Sequence, residues 1–158
     1  MMNGSLTFFL LIALAGLLLA ACWLDLKERR IPNWLTLTVA LLAPLWWCAT
    51  DVAFFPDVLW RLVSPAIILF ILIMAFKYGQ MGGGDVKLAG AIALWLAPYD
   101  AAKFFIFFSL IGGPVTIAAM LHHRWTKAEG PLEPPYGLAI AAGAALILGQ
   151  PFINQFSG

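Results

Sequence analysis

The chain has 158 residues, 63% of them hydrophobic and 11% charged, with a formal net charge of +1 and a mean hydropathy of +0.92. Soluble domains are nearer half apolar and a quarter charged, so the composition points to an integral membrane protein, of a length that suits one domain over 1–158. No basic run exceeds Lys27-Glu28-Arg29-Arg30, too little for a phosphate-binding stripe, which excludes nucleic acid as a partner.

Six apolar segments follow in chain order, at 5–24, 34–50, 58–76, 85–97, 101–121 and 136–153. Most approach the roughly 20 residues that a spanning helix needs. The breaks between them carry turn chemistry: Ile31-Pro32-Asn33, Phe55-Pro56-Asp57, Gly82-Gly83-Gly84, Ala97-Pro98-Tyr99-Asp100 and the proline-rich stretch before Tyr136. The expected fold is all-α, a polytopic membrane protein of six transmembrane helices. Leu19-Ala20-Ala21-Cys22 resembles a lipoprotein cleavage box. No Lys or Arg precedes Lys27, however, so the first helix is expected to be retained.

Charge sets the expected orientation. Lys27, Arg29, Arg30, Lys77, Lys87, Arg124 and Lys127 fall after helices one, three and five, against Arg61 and Lys103 on the other side. That bias places the first, third and fifth loops in the cytoplasm and both termini outside it. Asp25 and Asp85 then share the cytoplasmic side. Trp46, Trp47 and Trp60 fall near the outer interface, where indoles anchor. Helix four, at 85–97, spans only about 20 Å at 1.5 Å per residue, against a hydrocarbon core of about 30 Å. Asp85 is therefore expected in a recess that water reaches through a cavity lined by the glycines.

Ionisable groups at membrane depth are expensive and mark functional sites. Asp25 closes the first apolar run, and Asp85 follows three glycines at the head of the fourth. Two carboxyls that share a pocket cannot both ionise cheaply, so one stays protonated and polarises a carbonyl while the other takes a proton from water. Helix dipoles favour the charged form at Asp85, near a helix start, over Asp25, near a helix end. Gly82, Gly83 and Gly84 are candidate substrate contacts, because glycine permits close backbone approach and positive φ. In isolation the same run reads as a capping turn with Asp85 as N-cap.

These residues resemble a family. Asp25 with Ile31-Pro32-Asn33, then Gly82-x-Gly84-Asp85-Val86-Lys87-Leu88, then Pro135-Tyr136-Gly137, is similar to the type IV prepilin peptidases, aspartic membrane proteases with a GxGD motif. The compact form is similar to the peptidases of tight-adherence, Flp-type pili. The resemblance implies catalytic roles for Asp25 and Asp85. It also implies a prepilin or pseudopilin precursor as substrate, cut after a glycine at the cytoplasmic face of the bacterial inner membrane, just ahead of the pilin's apolar helix. Larger members carry a four-cysteine cytoplasmic zinc region associated with N-methylation. The first loop here, 25–33, has no room for one, so cleavage without methylation is expected.

The remaining polar residues have mainly structural readings. Lys87 either contacts substrate, steadies Asp85, or snorkels to the interface. Glu28 is a candidate attractor for a basic leader, whereas Arg29 and Arg30 would repel one. Glu129 and Glu133 read as a solvated loop, and Asn33 as the N-cap of helix two. Cys22 and Cys48 lie at opposite ends of their helices and read as free packing residues. With His122 and His123 in a polar loop and no Cys-x-x-Cys pair, neither a metal nor another cofactor is expected. The alternative from another class is a small proton-coupled transporter or channel with Asp25 and Asp85 as its relay. Such a protein places ionisable groups toward the midplane and shows internal repeats, and no repeat is visible here.

Overall fold

The computed structural model describes residues 4–79, 81–126 and 136–156. Among them are six helices and no strand: α1 (Gly4–Glu28), α2 (Asn33–Ala49), α3 (Asp57–Lys77), α4 (Gly83–Ala93), α5 (Pro98–Thr126) and α6 (Tyr136–Phe156). Gly4–Glu28, Asp57–Lys77 and Pro98–Ala118 are long and apolar enough to cross a bilayer. Asn33–Ala49 and Tyr136–Gly149 are shorter apolar helices. Large apolar side chains such as Phe8, Phe9, Leu19, Trp23, Leu41 and Phe70 are exposed around the outside. Exposed apolar surface of this extent marks an interface with another phase, here lipid.

The helices are arranged around α4. It packs against α2, α3 and α6, while α1 joins α2 to α6 and α5 joins α3 to α6. From Asp85 to Ala93 every residue of α4 is buried except Lys87. A helix apolar on all sides belongs in the interior, and beyond Lys87 α4 is built only from Leu, Ala, Gly and Ile. Gly90 lets α3 settle on it: a Cβ there would lie 2.7 Å from Leu69 Cγ.

Helix α4 ends at Ala93, four residues before the expected 97. Short turns take over, from Trp95 N–H to the Ile92 carbonyl and from Leu96 N–H to the Ala93 carbonyl. Side chains of other helices satisfy the carbonyls beyond its end. Trp47 Nε1 donates to the Leu94 carbonyl at 2.8 Å, and Arg61 Nη1 donates to the Trp95 carbonyl at 3.0 Å. In an apolar bundle these replace the water that would solvate a helix end. Buried Trp95 in turn donates from Nε1 to the Val39 carbonyl at 2.9 Å, and its ring lies 5.6 Å from that of Trp46. Trp46 and Trp47 are thus half-buried and tied to the end of α4, whereas Trp60 is 55% exposed.

Other boundaries also shift. α1 continues past Leu24 to Glu28, and stops where Arg29 adopts a left-handed φ of 52° ahead of Pro32. Asp25 is thus inside the helix. α5 begins at Pro98, because proline suits a first helical position, and its backbone stays helical to Thr126, through His122 and His123 rather than breaking into a loop. Cys48 is exposed, not packed, while Cys22 is half-buried. Lys127, Glu129, Glu133 and Pro135 lie outside the described residues.

Truncating Trp95 removes both the ring packing and the donor to Val39. Trp95→Ala is expected to destabilise the bundle by about 3–5 kcal/mol, read as a lowered thermal midpoint in detergent, whereas Trp60→Ala is expected to leave the midpoint close to that of the unaltered chain.

Candidate active site

The buried stripe of α1 is Leu10, Leu14, Leu18, Ala21 and Asp25. The spacing of three and four residues keeps one face toward the bundle, so the carboxylate is delivered to the interior at the end of an apolar row. Asp85 reaches the interior differently. Gly82 is the N-cap of α4 and Gly83 its first residue, which puts Asp85 in the first turn. Asp25 is 5% and Asp85 6% exposed. Both line one pocket of about 250 Å³, together with Arg29, Arg30, Ile31 and the three glycines 82–84.

The Asp25 carboxylate accepts a hydrogen bond from the backbone N–H of Gly137, 2.8 Å from Oδ2. Gly137 is the second residue of α6, so this N–H is one that the helix itself leaves without a partner. Gly137 has no room for a side chain. A Cβ would stand 2.7 Å from Asp25 Oδ2 and 3.0 Å from Asp25 Cβ. Cys22, one turn before Asp25, directs its thiol to the Gly137 carbonyl at 3.5 Å. Tyr136 fixes the same turn to α5, through a hydrogen bond between its hydroxyl and that of Thr116 and an edge contact with Phe108.

This arrangement changes the electrostatic expectation. Reading α1 alone, Asp25 faces the unfavourable end of a helix dipole. In the fold it also faces the N-terminus of α6, as Asp85 faces that of α4. Helix N-termini favour negative charge, so the dipole argument that assigned the charged form to Asp85 no longer separates the two acids.

The glycine run also departs from expectation. Gly82 has φ −70° and ψ 145°, a conformation open to any residue, and Gly79 is the positive-φ glycine among the described residues. Asp85 is not the N-cap. Space is what the site requires. A Cβ on Gly84 would press on Ile31, 3.1 Å from its Cβ and 3.2 Å from its carbonyl oxygen. A Cβ on Gly82 would lie 2.8 Å from Asp85 Oδ2. The glycines let the α1–α2 connection lie directly on the head of α4, which closes the pocket wall.

Two candidate substrate contacts lie elsewhere. Lys87 points away from the pocket and donates from Nζ to Asn33 Oδ1 at 2.9 Å, at the edge of a neighbouring groove. It does not sit beside Asp85, which is about 200° away around the helix. Asn33 is the first residue of α2, not its cap; Pro32 holds that position. Glu28 is exposed on the last turn of α1, outside the pocket lining. Arg29 and Arg30, expected only to repel a basic leader, are exposed but line the pocket. Their position one helical turn beyond Asp25 is the signal that places them there.

A family model described as the type IV leader peptidase family matches residues 12–117, a span that holds both aspartates. The chain belongs to the type IV leader peptidase family. It is also 32% identical over 152 residues to the prepilin leader peptidase/N-methyltransferase of Bacillus subtilis (strain 168), a match that covers 90% of this chain and 56% of that protein. The chain thus spans little more than half the length of this curated relative. No solved structure matches it.

In this leader-peptidase fold, Gly137 holds a carboxylate by lacking a side chain. Gly137→Val is expected to displace Asp25 from the Gly137 N–H and to destabilise the bundle by about 1–3 kcal/mol, read as a lowered thermal midpoint in detergent. Gly16→Val, where a Cβ meets nothing within 4 Å, is expected to leave the midpoint close to that of the unaltered chain.

Proposed function

We propose that the chain is an aspartic endopeptidase that removes the basic leader from type IV prepilins, with Asp25 and Asp85 as its catalytic pair. The observation that carries this reading is the shared pocket. Two buried carboxylates from different helices line one pocket of about 250 Å³; Asp25 accepts from the first turn of α6 and Asp85 lies in the first turn of α4. Membership in the leader peptidase family supplies the reaction class.

The chemistry follows from the pair. The ionised carboxylate takes a proton from a water held between the two groups, and the water oxygen adds to the carbonyl carbon of the bond to be cut. The protonated carboxyl gives its proton to the carbonyl oxygen. As the tetrahedral intermediate collapses, the carboxyl that gained the water proton delivers it to the leaving amine, and one hydroxyl of the intermediate returns its proton to the other carboxylate as the C–N bond breaks. The pair ends with one proton shared between two groups, as it began. Either acid can fill either role, since the pair titrates as a unit. No cofactor takes part.

The wider reading is a multi-pass protein of the bacterial inner membrane, with six spans and both termini outside the cytoplasm. The charge distribution of the loops supports it, and the arginines at the pocket mouth belong to the cytoplasmic side in that orientation. Substrates are prepilin or pseudopilin precursors, cut after a glycine, and the compact form suits Flp-type pili. The connection between α1 and α2 is only residues 29–32, which leaves no space there for a zinc-binding methylation region. We therefore assign cleavage without methylation.

Two measurements test this. Asp25→Asn and Asp85→Asn are each expected to lower processing of a co-expressed prepilin by about 10²–10⁴-fold, the usual share of general acid–base catalysis, as judged by precursor size on a gel. Processing that survives either change removes the mechanism. The intact mass of the processed pilin is expected to match a free N-terminus. A stoichiometric added methyl group that depends on this chain overturns the second assignment.

A further inference from the structure

Two cavities outside the acid pocket run into one another. The first, of about 490 Å³, sits at the end of the bundle away from the acids. Gly4 lines it, about 30 Å of helix rise from Asp25. Its polar lining comes from helix ends: Thr7 near the start of α1, Thr50 at the C-cap of α2, Arg61 near the start of α3 and Asp100 in the first turn of α5. The second, of about 350 Å³, is an apolar groove between α1 and α6 that runs from Leu11 to Leu19. Leu11 and Leu148 line both. The two make one trough along α1, polar where the helices end and apolar below.

The trough has the length of a single lipid leaflet. Gly4 to Leu11 rises about 10 Å, and Leu11 to Leu19 about 12 Å. Half a bilayer with its headgroups measures about 20–22 Å. Ala15 and Ala145 are exposed along the apolar part, so that part opens sideways to lipid. It stops about 9 Å of helix rise short of Asp25, which keeps it separate from the acid pocket.

The polar end selects the headgroup. Arg61 Nη1 donates to the Trp95 carbonyl at 3.0 Å, the one acceptor that its guanidinium meets among the described residues. A guanidinium carries five N–H donors in a fork that suits a phosphate. Asp100 shares the lining, with Oδ1 3.3 Å from Lys103 Nζ. Asp57 is the other carboxylate that acts on Arg61. Arg61 and Lys103 against Asp57 and Asp100 leave this cluster without net charge. A purely anionic headgroup is drawn to Arg61 and repelled by Asp100, whereas one with both a phosphate and an ammonium is attracted at both places.

We infer that the trough holds one phospholipid of the leaflet opposite the acids, with an amine-bearing zwitterionic headgroup. Its phosphate lies on Arg61, its ammonium on Asp100, and one acyl chain fills the seam between α1 and α6. This requires only that the chain crosses a bilayer, so it stands or falls separately from the peptidase reading.

Native mass spectrometry of the full chain released from detergent tests this. The lipids added are phosphatidylethanolamine, phosphatidylglycerol, which lacks the amine, and phosphatidylcholine, whose ammonium has no N–H, all with the same acyl chains. Phosphoethanolamine serves as the headgroup alone. The expected result is one phosphatidylethanolamine per chain, at about tenfold the occupancy of either other lipid, the effect of one charge-assisted hydrogen bond, and no retention of the soluble headgroup. Equal retention of the three lipids overturns the inference, as does binding of phosphoethanolamine without lipid, or a dimer that retains no lipid. Asp100→Asn is expected to abolish the preference for phosphatidylethanolamine while the thermal midpoint stays close to that of the unaltered chain, because the ion pair it breaks is partly exposed. A preference that survives this change contradicts the headgroup placement. Ala145→Trp fills the apolar groove from an exposed position. It is expected to lower phosphatidylethanolamine occupancy about tenfold, the cost of about two methylene groups left unburied. Leu110→Trp, at an exposed position on α5, is expected to leave it unchanged. Occupancy unmoved by Ala145→Trp contradicts the acyl-chain placement.

Discussion

The hydrogen bond from the Gly137 N–H to the Asp25 carboxylate is the contact around which the site is built. A carboxyl group inside an apolar bundle lacks the water that would otherwise hold it, so it needs donors fixed in place. The first turn of a helix has such donors to spare. Helix α6 directs one of them at Asp25, and neighbouring helices hold that turn from both sides. Tyr136 ties it to Thr116 and Phe108 on α5, and Cys22 meets its carbonyl from α1.

The same logic governs α4. This helix is short and surrounded, with α2, α3 and α6 packed on it. Its two ends have opposite requirements. The C-terminal end offers carbonyls, which Trp47 and Arg61 satisfy from α2 and α3. The N-terminal end carries Asp85, and the glycines before it leave no side chain between that carboxylate and the loop of Ile31. Fixing one end of α4 therefore helps to fix the acid at the other. A substitution near Trp95 is thus connected to the pocket through a single rigid element, even though it lies at the far end of the helix.

Much of this was legible in the sequence. The apolar segments and their breaks are there, and the Leu10, Leu14, Leu18, Ala21, Asp25 spacing points an acid inward. The family is there too, in the recurrence of two aspartates with a glycine run and the Tyr136-Gly137 pair. Less legible was anything that depends on which helices touch. Trp46 and Trp47 read as interface anchors, and their contacts with the end of α4 show only in the fold. Lys87 looks like a partner of Asp85 because it is close in sequence, but two residues along a helix is more than half a turn. The glycines read as a capping turn or as room for a substrate backbone, whereas in the fold Gly82 and Gly84 allow contacts within the chain at a distance that no Cβ permits. Gly137 stood in the family motif, but its role was not legible there, since it comes from a residue more than a hundred positions away.

The central claim is that the carboxylates of α1 and α4 meet across one pocket. Paired cysteines test it directly. In a chain lacking Cys22 and Cys48, Asp25→Cys with Asp85→Cys is treated with a short bifunctional thiol reagent and then cleaved between α1 and α4. The account predicts that the two fragments remain joined, as they should for Asn33→Cys with Lys87→Cys, whose side chains touch. Fragments that separate for the acid pair, while the second pair stays joined, would contradict it.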